Sequence, residues 1–403
     1  MCWSISNELT DLDAAGLRRR LRVLAAAQGT VVNVDGREAV NFSSNDYLAL
    51  AGSEELRAAL IEGIEKNGAG SGASRLVCGG FSPHQKLEEE LAAFKSTEAA
   101  LTFSSGFAVA LGTIPALIGD KDVIILDKLC HASLVDAAKL SGATIRVFPH
   151  NHLEKLEKLL MSSREKARRV LVVTESIFSM DGDAAALAEI VELKDRHGAW
   201  LMLDEAHAVG VLGPQGRGLA AALGLEQRVE LQMGTLSKAF GLSGGYLAAS
   251  REAIDLLVNK ARSFIYTTAP PPGIAHAASE ALRLIQGPEG DRRRARLQAS
   301  LGQVASSGLL GDVAVGASAI VPVIVGGEEA AVALSSRLLE KGFLIPAIRY
   351  PTVARGTARL RLTLSAGHEA RQIEALAMHL RSATAELAAE QPAPPAFEAV
   401  EEA

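Results

Sequence analysis

Cysteine is scarce in this chain: Cys2, Cys78 and Cys130 are the only three in 403 residues. They make no CxxC spacing and their number is odd, which argues against a disulfide framework and fits a reducing compartment, the cytoplasm. Positive charge is not in excess. Lys and Arg number 41 against 47 Asp and Glu, a net charge of −6, so no global basic field exists to draw nucleic acid or an anionic membrane surface. No apolar run can span a bilayer: the longest, residues 107–118, is interrupted by Gly112, Thr113 and Pro115 and is expected to be buried core. The first 20 residues carry Glu8, Asp11 and Asp13 ahead of their basic run and have no apolar segment, so no secretory signal is expected. There is no internal repeat, and no Gly-Lys-Ser or Gly-Lys-Thr from which to build a phosphate loop.

What is present is an ordinary globular composition, 48% hydrophobic and 22% charged, enough to bury a full core without a disulfide or metal staple. From about residue 97 to 250, short β-branched runs alternate with helical patterns, which predicts repeated βα units and a mostly parallel sheet. The candidate strands are 99–103, 122–126, 144–148, 170–174, 200–204, 230–234 and 246–249. A helix over 11–27, a hairpin over 31–42 and a Gly-rich loop over 68–80 precede them. The run Ala269-Pro270-Pro271-Pro272 breaks the pattern, and strands near 319–325 and 359–363 among four helices predict a smaller α+β C-terminal domain. The expected division is an N-terminal arm (1–48), an α/β domain (49–272), the C-terminal domain (273–388) and a tail (389–403), rich in Pro, Ala and Glu, that is expected to be disordered.

Lys238 follows an apolar strand in a loop lined by Thr235, Ser237 and glycines. A lysine partly removed from water gives up its proton more readily and can form a Schiff base, which a solvated lysine does poorly at neutral pH. Asp204 ends the strand in WLMLDEAHAVG, at the carboxyl edge where open α/β sheets bind ligands, with His207 three residues on. The same Asp could cap a helix. Asp-Glu-Ala-His also looks like a helicase magnesium box, which the missing phosphate loop excludes. Ser104-Ser105-Gly106-Phe107 joins a strand to a helix, so the Gly106 and Phe107 amides can accept a phosphate, although an ordinary βα turn needs the same residues. His131, after the next strand, either opens a helix or faces a ligand. Gly241-Leu242-Ser243-Gly244-Gly245 matches the G-x-S-x-G nucleophile elbow and makes a serine hydrolase at Ser243 the competing class, but a strand is expected after it where an elbow needs a helix.

With Asp204, His207 and Lys238 in order on strand ends, the chain resembles the α-oxoamine synthase family of pyridoxal-phosphate enzymes. The likeness runs through NFSSNDYLAL (41–50), GAGSGASRLVCGG, HQKLEEELAAF, FSSGF, HASLVDAA, TESIFSMDGD, LDEAHAVGVLG, GTLSKAFG and PTVARGTARLRLTLSAGHE (351–369). It implies the fold-type I, aspartate aminotransferase-like architecture. It also implies condensation of an L-amino acid, with alanine expected, and an acyl thioester with loss of carbon dioxide. In the roles it implies, Lys238 binds the cofactor covalently and removes the Cα proton, Asp204 pairs with the pyridinium nitrogen, and His131 stacks on the ring. His207 and Ser179 lie by the phenolic oxygen, and Gly106, Phe107 and Thr235 bind the cofactor or its phosphate. Arg361 holds the amino-acid carboxylate near Asn45, and Arg18 and Thr352 meet the acyl thioester. It further implies a homodimer in which Thr267 and Thr268 reach the partner's phosphate.

Overall fold

The computed structural model describes residues 4–19, 21–307 and 318–390; most of the expected tail, 391–403, lies outside them. Asp35 and Gly36, both at positive φ, turn the chain between β1 (Val31–Val34) and β2 (Arg37–Asn41), which pair antiparallel as the expected hairpin. The helix expected at 11–27 lies elsewhere. It spans Ile5–Ala14, starting at the Ser4 cap, and Gly16 at φ 64° follows it. The apolar residues Leu17, Leu21 and Leu24 fall beyond this stop despite their helical spacing. Leu24 instead bridges to Val34 and extends the hairpin.

The central strands are β3 (Ala99–Phe103), β4 (Val123–Asp127), β5 (Thr144–Phe148), β6 (Val170–Glu175), β7 (Trp200–Asp204), β8 (Leu231–Thr235) and β9 (Gly245–Ala249). They form one sheet in the order β3-β9-β8-β7-β6-β4-β5. Only β9 runs against its neighbours, so the sheet is mostly parallel as expected. Alternate side chains serve opposite faces. Ile124 and Leu126 join Leu171, Val173 and Met202 in one core, while Val123, Ile125, Val172, Leu201 and Leu203 build the other, and helices cover both sides. Two strands begin one residue later than expected because an acidic residue is occupied elsewhere. Asp122 receives the Arg168 guanidinium and the Gly119 N–H, and Glu230 binds the Lys194 amine and the Leu201 N–H.

The C-terminal segment contributes β10 (Ile320–Gly326), β11 (Phe343–Leu344), β12 (Ala347–Ile348) and β13 (Ala358–Thr363). β13 lies between β10 and β12 in an antiparallel sheet, and β11 pairs with β2, tying the N-terminal hairpin to this smaller domain. Arg359 and Arg361, two apart on β13, both reach the turn after β6. Arg359 Nη1 meets Asp181 Oδ1 at 2.6 Å and the Met180 carbonyl at 3.3 Å, and Arg361 Nε donates to the Ser179 carbonyl at 2.5 Å. The carboxyl ends of β4, β6, β7 and β8 carry Asp127, Glu175, Asp204 and Thr235. No helix among the described residues is long and apolar enough to cross a membrane.

Candidate active site

A cavity of about 250 Å³ opens over these strand ends, lined by Ser105, Gly106, Phe107, His131, Ser133, Glu175, Asp204, Ala206, His207, Met233, Thr235, Ser237 and Lys238. Lys238 follows β8 on a tight loop, and its amine donates to His207 Nε2 at 2.9 Å. That bond makes His207 Nδ1 the protonated nitrogen, which donates to the Tyr47 hydroxyl. Tyr47 in turn donates to Asn45 Oδ1 at 3.3 Å, and the same oxygen accepts Arg361 Nη1 at 3.0 Å. One hydrogen-bonded line therefore joins the lysine to the arginine. Burial, reinforced by the nearby Lys238 charge, holds the His207 pKa well below its ordinary value, so the ring stays neutral. Burial also pulls the Lys238 amine down to about 8, against the opposing pull of Asp204 and Glu175.

At the sheet edge Asp204 is 6% exposed. Its Oδ1 accepts the Ala206 N–H at 2.9 Å, and no donor among the described residues meets Oδ2. No helix follows it, so the cap expected as its alternative role is a turn instead. Burial raises its pKa and Lys238 works against that rise. On the opposite wall, Ser105 caps the helix Gly106–Leu117 by accepting the Ala108 N–H at 3.1 Å, which leaves the amides of Gly106 and Phe107 at a helix N-terminus facing the cavity. Thr235 Oγ1 donates to the Gly244 carbonyl at 2.9 Å and lies 2.7 Å from Ser237 Oγ. β9 passes directly under this wall: a Cβ at Gly245 would stand 2.8 Å from the Gly106 nitrogen, so only glycine fits there.

His131 opens its helix, and its ring borders the cavity. Its Nδ1 accepts the Ser133 N–H at 3.3 Å, capping the helix Ala132–Leu140, while its ring lines the cavity. Burial lowers its pKa. Arg361, 5% exposed, is fixed by the Ser179 carbonyl, Asn45 and Thr363 Oγ1.

The remaining expectations fall outside the cavity. Ser179 offers its backbone carbonyl to Arg361 and lines an adjoining groove of about 800 Å³ that shares His131 with the cavity. Thr352 lines that groove and also the next, a basin of about 770 Å³ with Arg18, Arg19, Arg22 and Arg349. Arg18 pairs with Asp13 at 2.5 Å. Thr267 and Thr268 follow the short helix Arg262–Ile265 and are not among the residues lining this chain's cavity. Ser243 is exposed and β9 begins two residues later, so it is not the serine of an elbow.

Two site residues escape the sequence reading. Glu175 ends an apolar strand as Asp204 does, so the strand-end logic that picks out Asp204 applies to it equally. Tyr47 carries no local signal, because its partner His207 is 160 positions away in the chain. The donor set matches pyridoxal phosphate. A lysine of lowered pKa suits its carbonyl, the unfilled oxygen of Asp204 its ring nitrogen, and the helix N-terminus with Thr235 and Ser237 its phosphate.

Comparison with known proteins agrees with this assignment. Residues 37–380 match the family described as aminotransferase class I and II. The chain is 48% identical over 394 residues to the 8-amino-7-oxononanoate synthase of Anaeromyxobacter sp. (strain K), covering 96% of this chain and 97% of that one. It is 48% identical over 376 residues to the 8-amino-7-oxononanoate synthase of Geobacter sulfurreducens, covering 93% and 96%. The Sphingomonas wittichii serine palmitoyltransferase structure superposes with a TM-score of 0.89 at 31% identity, covering 96% of this chain and 97% of that one. The 8-amino-7-oxononanoate synthase of Francisella tularensis gives 0.74 at 30%, covering 86% and 98%.

Proposed function

Because the chain belongs to the aminotransferase class I and II family, and within it to the α-oxoamine synthases, we propose that it condenses L-alanine with a pimeloyl thioester. The products are 8-amino-7-oxononanoate, carbon dioxide and the free thiol, a step of biotin synthesis in the cytoplasm. The observation that carries this reading is the line from Lys238 through His207, Tyr47 and Asn45 to Arg361. It ties a base to a carboxylate clamp, beside a groove of about 800 Å³.

Bound pyridoxal phosphate supplies a carbonyl that condenses with amines and a protonated ring that takes up the electron pair left on Cα. The chain's own residues do the rest. Arg361, already aligned by Ser179 and Asn45, presents its planar fork to the alanine carboxylate. Lys238, uncharged in a useful fraction near neutral pH, takes the Cα proton and returns it after decarboxylation. Asp204 keeps the ring nitrogen protonated. His131 and His207, both lining the cavity, would hold the bound ring in place. The helix N-terminus at Gly106 and Phe107, with Thr235, holds the phosphate. The thioester enters along the groove, past Ser179 and Thr352 towards Arg18, on coenzyme A or a carrier protein.

The test is thiol release by the holoenzyme with alanine, glycine or serine against pimeloyl, acetyl, succinyl and palmitoyl thioesters. Alanine with the pimeloyl thioester is expected to exceed every other pair by at least about tenfold, the scale on which a pocket separates substrates differing by a methyl or a few methylenes. Equal or faster turnover of serine with the palmitoyl thioester overturns the assignment.

We also propose a homodimer with shared sites. Thr267 and Thr268 carry hydroxyls suited to a phosphate yet do not line their own cavity, so a second copy is where they act. Mixed Lys238→Ala and Thr267→Ala/Thr268→Ala subunits, each inactive alone, should regain about a quarter of parental activity after exchange at equal amounts, because half the dimers are mixed and each carries one intact site. Background activity after verified exchange rules sharing out.

A further inference from the structure

Two carboxyl groups stand side by side at the edge of the cavity. Glu175 closes β6 and Asp204 closes β7, and the two are register partners on adjacent parallel strands. They are 2% and 6% exposed, and both line the cavity. Asp127 at the end of β4 also acts on Glu175, as do Asp204 from β7 and Lys238 from the loop after β8. Cys130 and Tyr47 are the other titratable groups that face Glu175. Lys238 is the only cation in that set. No Arg or Lys among the described residues hydrogen-bonds or ion-pairs with either carboxyl, and Lys238 is the leading counter-charge of both.

One amine cannot neutralise two desolvated carboxylates, and two unshielded anions on neighbouring strands repel. The lower-cost arrangement leaves one of them protonated. Burial, then repulsion by Asp204, drives the Glu175 pKa to about 8. Each carboxyl has one backbone amide and Lys238 to favour its charge, but Glu175, on the strand between β4 and β7, takes repulsion from both Asp127 and Asp204. Glu175 is also engaged in a second way: its Oε1 accepts the backbone N–H of His131 at 2.5 Å, a bond that favours the charged form but that the carbonyl oxygen of a neutral carboxyl still accepts. His131 in turn caps its helix, so Glu175 sets the level at which the imidazole enters the cavity.

We propose that Glu175 is a positioning residue that works as a neutral carboxylic acid, anchoring His131 through its backbone and leaving Asp204 the sole anion facing the cofactor's ring nitrogen. The inference rests on the pyridoxal-phosphate reading above. If both carboxyls were charged, the single positive charge on the ring would be shared between them and Asp204 would no longer define its position.

Infrared difference spectroscopy of the pyridoxal-phosphate-loaded protein at neutral pH, parent minus Glu175→Gln, tests the protonation state. The expected result is the carbonyl stretch of a protonated carboxylic acid, shifted in heavy water, present in the parent and gone in the variant. The visible pH titration of the bound chromophore should move by less than about 0.3 pH unit in Glu175→Gln, because no charge is removed, whereas loss of a buried charge would move it by about one unit or more. Glu175→Ala removes the acceptor for His131 as well and should weaken the circular dichroism of the chromophore; parental dichroism in a folded Glu175→Ala protein overturns the positioning role. An absent acid band, or a titration displaced by about a unit in Glu175→Gln, overturns the neutral state even if Glu175→Ala does not fold. A parent protein that takes up no pyridoxal phosphate defeats the reading beneath this inference and the inference with it. A loaded parent without the acid band defeats the inference alone.

Discussion

Lys238→Ala is expected to yield a folded protein that binds pyridoxal phosphate reversibly, cannot be locked to it by borohydride, and turns over on the order of 10⁴-fold more slowly. The size follows from the two tasks that meet at one amine. Among the described residues Lys238 is the only amine bordering the cavity, and it is the donor at the head of the line that ends at Arg361, so no second amine there can take over the covalent link. Capture of the cofactor by the apo-form of the parent should accelerate with rising pH around a midpoint near 8, because the neutral amine is the nucleophile and burial has lowered its pKa to about that value. Peptide mass spectrometry after reduction checks the attachment: a pyridoxyl adduct on any other residue, or capture with a midpoint near an ordinary lysine's pKa, contradicts the assignment.

Asp204→Asn should separate binding from chemistry. The variant keeps its shape, since an asparagine Oδ1 can still accept the Ala206 N–H, and the phosphate wall at Gly106 and Thr235 is untouched. The ring nitrogen, however, loses the anion that keeps it protonated and with it most of its capacity to absorb charge. Turnover is expected to fall by on the order of 10³-fold with cofactor affinity changed far less. Exchange of the alanine Cα hydrogen in heavy water, followed by NMR, isolates the step. Parental exchange rates would make Asp204 a turn-forming residue and nothing more.

Much of this site is legible in the sequence because the fold makes strand ends special. Lys238, Asp204 and His207 each follow an apolar run that can only be a buried strand, so their place at the carboxyl edge follows from the pattern, and β3, β5 and β7 have the bounds the pattern implies. Glu175 obeys the same rule but is passed over because the expected strand stops at Thr174, one residue short of the real one. Tyr47 and the grip of Arg359 and Arg361 on residues 179–181 are of another kind: they join segments far apart in the chain, and local periodicity carries no information about such encounters. The N-terminal helix shows the opposite failure, since helical spacing continues past Gly16 but the backbone there does not.

The reversed strand β9 has a consequence for how the molecule is made. β3 pairs with no strand of the sheet but β9, and all five of its residues are buried in the finished protein. During synthesis those residues leave the ribosome long before Gly245–Ala249 exists to cover them, an interval on the order of ten seconds at ordinary elongation rates. Through that interval an apolar edge waits unpaired, open to a chaperone or to the same edge on a neighbouring nascent chain. The loop that carries Lys238 is set between β8 and β9, so it takes its shape only when that wait ends.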